Sequence, residues 1–211
     1  MSKLQKKINQ YCQEHTSPPS ETLLELERQT HLKTLAPQMV SGYFQGRMLS
    51  MISHMVGPHR ILEIGTFTGY SAICLAEGLK TGGILHTIEV NPEYRSMIEE
   101  YINKSGNKNK IRLHIGDALE IIPGLDEKFQ LVFIDAAKFS YPDFFNMVFD
   151  KISAGGYILL DNMLWSGKVV KDENDPDTAT LRDFAGTLQD DQRLENILLP
   201  IRDGLMICRK K

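Results

Sequence analysis

Long apolar runs are missing from this chain of 211 residues, and no stretch approaches the roughly 20 residues that a membrane-spanning helix needs. The amino terminus, M-S-K-L-Q-K-K-I-N-Q-Y, carries charge without an apolar core and does not read as a signal peptide. Cysteine is scarce. Cys12, Cys74 and Cys208 lie far apart, with neither zinc nor redox spacing, so three reduced thiols in a cytoplasmic protein are expected. A dominant charge is lacking too: 24 basic and 27 acidic residues give a net −3, which offers no overall attraction to nucleic acid or an anionic membrane. Low-complexity linkers and internal repeats are absent. What remains is ordinary for one globular domain, 42% hydrophobic and 24% charged, and a chain of this length buries enough surface to need no disulfides.

The most informative stretch is Arg60 to Ala72, R-I-L-E-I-G-T-F-T-G-Y-S-A. Ile61, Leu62 and Ile64 form a short apolar run that reads as a buried strand. Gly65 and Gly69 then open a turn, and a helix begins near Ser71. Strand, glycine turn and helix in succession let backbone approach a ligand without an intervening Cβ. The spacing is not the dinucleotide fingerprint G-x-G-x-x-G, because Thr66-Phe67-Thr68 separates the glycines. Glu63 near the end of a buried strand is costly unless it meets a partner, and a positively charged ligand would supply one.

Upstream, helices are expected over Leu4–His15, from a Ser20 cap onward, and over Met39–Val56, the last with an inward stripe of Phe44, Met48, Met51/Ile52 and Met55. From Arg60 onward strands and helices alternate. Further strands are expected at Ile84–Ile88, Ile111–Ile115, Phe129–Ile134 and Tyr157–Leu160, the last entered through a Gly155-Gly156 turn. Helices are expected from Asn91-Pro92, around Ala118–Ile122, over Pro142–Ile152 and near Thr178–Gln189. A hairpin flanks Pro200–Gly204. This order implies an α/β fold: a doubly wound, seven-stranded, mostly parallel sheet with an antiparallel strand from the carboxy-terminal hairpin. Residues 1–57 form a helical cap and 58–211 the sheet unit of one domain. Ligands in such sheets sit beyond the carboxyl ends of the strands.

Those ends carry polar side chains. Glu89 ends the second strand ~20 residues past the glycine turn, where a ribose-binding carboxylate belongs. Asp117 follows the third, either as the cap of the short helix at Ala118 or as a ligand contact. Asp135 ends the fourth strand, and Asp161 with Asn162 ends the fifth. Neighbouring strands would bring these three together as an all-oxygen donor set, suited to Mg2+, Mn2+ or Ca2+ rather than zinc. Taken alone, Asp161-Asn162 also reads as an Asx turn. Lys138 lies three residues past Asp135; beside a divalent cation its protonated form is disfavoured, and it could take a proton from a hydroxyl.

The run E-I-G-T-F-T-G-Y-S, the D-x-x-K spacing of Asp135 and Lys138, and the D-N pair one strand later resemble class I S-adenosylmethionine-dependent methyltransferases. More closely, they resemble the metal-dependent O-methyltransferases that include the catechol and caffeoyl-CoA enzymes. M-V-S-G at 39–42 with Gln45-Gly46, D-N-M-L-W-S-G-K-V-V and L-P-I-R-D-G-L-M-I-C-R-K extend the resemblance over most of the chain. The resemblance implies that Asp135, Asp161 and Asn162 hold the metal and that Lys138 is the base. It implies that S-adenosylmethionine meets Met39, Ser41, Glu63, Gly65, Thr66, Ser71, Glu89, Asp117, Ala118 and Asp135. Two departures stand out. Ala137 replaces the second acid of the plant D-A-D-K pattern, and Arg47 stands where glutamine is common.

The expected activity is therefore methyl transfer to a small, catechol-like molecule with adjacent hydroxyls, by a homodimer built partly on the amino-terminal helices. Hydroxyuridine in tRNA is the alternative acceptor, with Lys3, Lys6 and Lys7 as a local basic arm. A nicotinamide-dependent oxidoreductase and a non-catalytic S-adenosylmethionine-binding protein are the rivals of other classes. Trp165 is expected at the substrate mouth, and His86 and His114 as packed or surface side chains.

Overall fold

Alternation of apolar residues along the strands sets the architecture in the computed structural model, which describes residues 3–211, the side chains of Gln5 and Lys6 excepted. Seven strands form one sheet: β1 (Arg60–Ile64), β2 (Ile84–Glu89), β3 (Ile111–Ile115), β4 (Phe129–Ile134), β5 (Ile152–Leu160), β6 (Leu194–Leu199) and β7 (Leu205–Lys210). Their spatial order is β3-β2-β1-β4-β5-β7-β6. β1 to β5 are parallel, and β7 runs antiparallel between β5 and β6. Eight helices accompany them among the described residues: α1 (Lys3–Glu14), α2 (Glu21–Lys33), α3 (Gly42–Val56), α4 (Tyr70–Ala76), α5 (Arg95–Lys104), α6 (Ala118–Ile121), α7 (Tyr141–Phe149) and α8 (Pro176–Asp190).

Both faces of the sheet are buried, as parallel strands require. Leu62, Ile64, Val132, Ile134, Ile158 and Leu160 enter the core under α7 and α8. Their odd-numbered neighbours Ile61, Leu131, Phe133 and Leu159 enter the opposite core, with Leu23 and Leu26 of α2 and Leu49 and Ile52 of α3. Period-two alternation alone produces this division. No described helix is long and apolar enough to cross a membrane.

Local chemistry starts and stops the helices. The Ser20 hydroxyl accepts from Leu23 N–H at 3.3 Å and the Asp175 carboxylate from Thr178 N–H at 3.2 Å, each satisfying a first-turn donor. Gly57, left-handed at φ +56°, ends α3.

Four expectations shift. α3 begins at Gly42 rather than Met39, because Val40 is extended and Gly42 left-handed, leaving Pro37–Met39 as a separate 3-10 turn. Its buried face is Gln45, Gly46, Leu49, Ser50, Ile52 and Ser53, whereas Met51 and Met55 are 61% and 74% exposed. The cause is close approach: a Cβ on Gly46 would lie 2.6 Å from the Tyr70 ring, and one on Gly78 2.3 Å from the Ser53 carbonyl carbon. Met51 and Met55 lie off that close face, whereas Met48 still packs against the core at its edge. α7 ends at Phe149, three residues early, because Ile152 already pairs with Phe129 in the sheet. Gly155-Gly156 is then an irregularity inside β5, where the register slips between the Phe129 and Leu131 pairings, rather than a turn before it. Lys6, named with Lys3 and Lys7 as a basic arm, lies outside the described side chains.

Candidate active site

The carboxyl ends of β1, β2, β4 and β5 converge around the turn that follows β1. Gly65 N–H donates to Ile88 O at 3.0 Å, and Asp135 N–H donates to Ile64 O at 2.9 Å, so this turn is threaded between its neighbours. Gly65 is left-handed at φ +97°, and a Cβ there would lie 1.9 Å from Asp135 O. Only glycine permits that approach.

Behind the turn lies Glu63, fully buried. The Thr87 hydroxyl donates to Glu63 Oε2 at 2.5 Å and in turn takes a hydrogen bond from the Thr66 hydroxyl. Glu63 Oε1 has no partner at hydrogen-bonding geometry, although the Ser71 hydroxyl lies near enough to favour the charge. Burial dominates and pushes the carboxyl up to about 8, helped by the negative charges of Asp135 and Glu89. An orphaned, desolvated acid oxygen beside a glycine turn calls for a cationic or donating ligand group.

Glu89 is nearly buried. Its Oε2 accepts from Phe67 N–H at 2.7 Å and its Oε1 from Asn91 N–H at 2.8 Å. Burial raises its pKa and these backbone donors oppose the rise. It therefore holds Phe67, left-handed at φ +52°, while each oxygen keeps a lone pair for a ribose hydroxyl. Asp117 caps α6 through Leu119 N–H at 2.8 Å, so one of its oxygens is committed to the cap. Ala118, Thr66, Ser71 and Ser41 are buried, whereas Met39 is 57% exposed.

At the β4–β5 end, the Ile134–Leu160 pairing puts Asp135 and Asp161 next in register. Asp161 Oδ1 accepts from Asn162 N–H at 2.8 Å and Oδ2 accepts from Gln45 Nε2 at 2.5 Å. Burial, then the Asp135 charge, pushes the Asp161 carboxyl up to about 6 against those donors. Asn162 is left-handed at φ +59°, a conformation asparagine tolerates better than most residues. Lys138 Nζ donates to Asp135 Oδ1 at 3.0 Å and to the Tyr141 hydroxyl at 2.7 Å, and it lies 5.9 Å from the centre of the Trp165 ring. Burial and both aspartates lift the Tyr141 phenol well above its usual range. It therefore stays protonated, and its hydroxyl reaches Asp161 O at 3.0 Å and Ile134 O at 3.2 Å.

Two carboxylates held together against mutual repulsion form a set that a divalent cation would relieve, and oxygen donors suit a hard one. The two carboxylates are of the right chemistry for the expected metal and Asn162 follows Asp161 directly in the chain, although among the described residues no group of three His, Cys, Asp or Glu that could hold a metal exists.

Sequence reasoning gave no role to Gln45, Thr87, Tyr141 or Arg202. The spacing of Lys138 to Tyr141 repeats that of Asp135 to Lys138 and was a usable signal for Tyr141; the other three contacts span distant segments. His86 and His114 form a separate group, with His86 Nδ1 2.9 Å from His114 Nε2 and His86 Nε2 2.9 Å from Glu127 Oε2. Desolvation lowers the pKa of both rings.

Comparison with known proteins identifies the family. The caffeoyl-CoA O-methyltransferase of Medicago sativa is 31% identical over 189 residues, covering 82% of this chain and 75% of that one. A Podospora anserina methyltransferase solved with SAH superposes with a TM-score of 0.91 at 27% identity, over 100% of this chain and 96% of that one. The O-methyltransferase TomG of Streptomyces achromogenes, solved with SAM, gives 0.90 at 27% identity, with 100% of both chains covered. The family model described as O-methyltransferase matches residues 13–211, and the chain belongs to that family.

Proposed function

We propose that this O-methyltransferase moves the methyl group of S-adenosylmethionine to a hydroxyl on a small, catechol-like molecule, with a divalent cation at Asp135, Asp161 and Asn162. The observation that carries the reading is the convergence of Asp135, Asp161 and Lys138 beside the β1 turn. The relatives solved with SAH or SAM support the donor, and the orphaned Glu63 Oε1 supports a cationic group on it.

Asp135, Asp161 and Asn162 would hold the cation, whose charge would make a nearby acceptor hydroxyl more acidic. Lys138 takes that proton on Nζ. The freed oxygen electron pair bonds to the methyl carbon as the carbon–sulfur bond breaks, leaving a neutral thioether. Asp135 aims Nζ through its 3.0 Å contact, and Tyr141 holds it from the other side. Fixing both reactants in one crevice supplies much of the acceleration. Glu89 faces the ribose, and Gly65, Thr66, Ser71 and Ala118 shape the pocket wall.

The reading also includes a homodimer. Leu4, Ile8 and Tyr11 lie on one face of α1 and are 67%, 45% and 62% exposed, a stripe suited to a second copy. Buried free thiols at Cys74 and Cys208 fit a cytoplasmic location.

The test is labelled methyl transfer with Mg2+ to catechols, hydroxycinnamoyl thioesters and hypomodified tRNA. The expected result is turnover of one of the small acceptors, abolished by exhaustive chelation and restored by the metal. Turnover that survives chelation sinks the metal assignment, and transfer confined to tRNA sinks the acceptor class.

A further inference from the structure

We propose that Gln45 is a positioning residue for Asp161, itself held in orientation by Arg202 from the turn between β6 and β7. The inference rests on the metal reading above and adds two residues to it.

Gln45 lies in the first turn of α3 and is 3% exposed. Its Nε2 donates to Asp161 Oδ2 at 2.5 Å, and its Oε1 accepts from Arg202 Nη1 at 2.7 Å. The partners decide which end of the amide faces which way. A guanidinium only donates, so Oε1 must face Arg202; a carboxylate only accepts, so Nε2 must face Asp161. With Asn162 N–H on Oδ1, both oxygens of Asp161 are pinned and its rotamer is fixed. Each oxygen keeps a further lone-pair direction for a cation.

The amide spacer has a chemical purpose. A guanidinium in direct contact would occupy both oxygens of Asp161 in a fork and neutralise the charge that a cation needs. Gln45 passes on the orientation without the charge. Arg202 is suited to hold it. Arg202 is left-handed at φ +49°, a conformation that a non-glycine residue keeps only under constraint. Besides Gln45 it donates to Ser41 O, and to Val40 O at 3.4 Å, fastening the segment that enters α3. The next two residues face the other way: Leu164 N–H donates to Asp203 O at 2.8 Å and Met163 N–H to Gly204 O at 3.0 Å. One turn therefore holds both the segment ahead of α3 and the chain that leaves Asp161.

The test is Mn2+ binding, followed by electron paramagnetic resonance, to the full chain without donor or acceptor, in wild type, Gln45→Met, Arg202→Met and the double variant. Circular dichroism checks the fold, and calorimetry with S-adenosylhomocysteine checks the donor pocket. Gln45→Met should weaken Mn2+ binding roughly 10–100-fold, as loss of an outer-sphere partner does, with S-adenosylhomocysteine affinity kept within about threefold of wild type. Arg202→Met should weaken Mn2+ binding several-fold although it touches no ligand. The double variant should bind no more weakly than Gln45→Met, because the two act through one contact. Wild-type binding with Gln45→Met unchanged overturns the inference and leaves the metal reading standing; so do losses that multiply in the double variant. Absence of Mn2+ binding by wild type overturns both. If Gln45→Met does not fold, Arg202→Met decides alone: unchanged Mn2+ affinity in it overturns the proposal.

Discussion

Lys138 Nζ and the Tyr141 hydroxyl are 2.7 Å apart, and the phenol, held protonated by its surroundings, spends its proton on backbone carbonyls at the ends of β4 and β5. Tyr141 therefore accepts from Lys138 without donating its own proton to it, and it ties the amine to the strand ends that carry both aspartates. Replacing Lys138 with Met should lower kcat about 10²–10⁴-fold, the usual range for losing a positioned base. Lys138→Arg should do nearly as badly while keeping the ion pair with Asp135, because a guanidinium does not give up its proton. Tyr141→Phe should cost about 1–3 kcal/mol of stability through buried groups left unpaired, and its kcat loss should be smaller than either lysine variant's. Steady-state kinetics at saturating Mg2+, with S-adenosylhomocysteine affinity as control, separates these cases. A Lys138→Arg enzyme with full activity would remove the base from the mechanism.

Glu63 makes stability depend on pH in an unusual direction. Its folded-state carboxyl sits near 8 rather than at the ordinary 4.5, so between those values the native chain keeps a proton that the unfolded chain has released. Stability then falls as pH rises through the window and levels off above it. Glu63→Gln removes this share of the dependence, leaving the smaller ones of Asp161 and Glu89. The variant should match wild type near pH 4.5 and exceed it by a few kcal/mol near pH 8, an order-of-magnitude figure from the pKa difference. Urea unfolding at intervals from pH 5 to 8.5 reads the gap directly. A gap that stays constant or narrows with pH contradicts a protonated Glu63. The same variant should lose any proton release that accompanies donor binding at neutral pH, measured by calorimetry in two buffers of different ionisation enthalpy.

Much of this was legible in local pattern, and the exceptions share a cause. The β1 strand, its glycine turn and the start of α4 follow from residues adjacent in sequence. So do the acids at the strand ends, because strand termini are set by short apolar runs. The sheet order follows from alternating elements and a terminal hairpin. The face of α3 was misjudged because methionine at helical spacing reads as core, whereas the close approach at Gly46 and Gly78 is made on a face that Met51 and Met55 lie off. Gln45 was visible only as part of a motif, since its partners Asp161 and Arg202 lie 116 and 157 positions away. Contacts at that separation are made by the closed topology, and no local propensity encodes them.

Gly65 and Gly82 give a paired test of what the β1 turn requires. Both are left-handed, at φ +97° and +74°, yet a Cβ on Gly82 meets nothing within 4 Å while one on Gly65 would lie 1.9 Å from Asp135 O. Gly82→Ala should therefore cost only the conformational penalty, about 1–2 kcal/mol. Gly65→Ala must also push the turn away from β4 and should cost more than about 3 kcal/mol, in the range reserved for steric conflict in a packed region. On the proposed reading it should also lower affinity for S-adenosylhomocysteine, because the displaced backbone would line the donor pocket. Denaturant unfolding and calorimetry on the two variants compare them, and equal losses would mean that the close approach has no energetic weight.

The exposed stripe of α1 yields the last prediction. Leu4, Ile8 and Tyr11 follow helical spacing and remain 67%, 45% and 62% exposed, while the structure anchors the carboxyl end of the helix through the Tyr43 hydroxyl to Gln13 O at 3.0 Å and to Thr16 O. Three large apolar side chains facing solvent forgo roughly 1.5–3 kcal/mol each relative to full burial, which a two-fold contact between copies would recover. Light scattering on the purified chain should therefore give about twice the 23.9 kDa mass of one copy. Replacing Ile8 and Tyr11 together with Lys should shift the population to monomer at micromolar concentration, through charge forced into an apolar contact, without lowering the monomer's helix content. A wild-type chain that is monomeric at all concentrations, or a double-lysine variant that stays dimeric, would assign self-association to another face or to none.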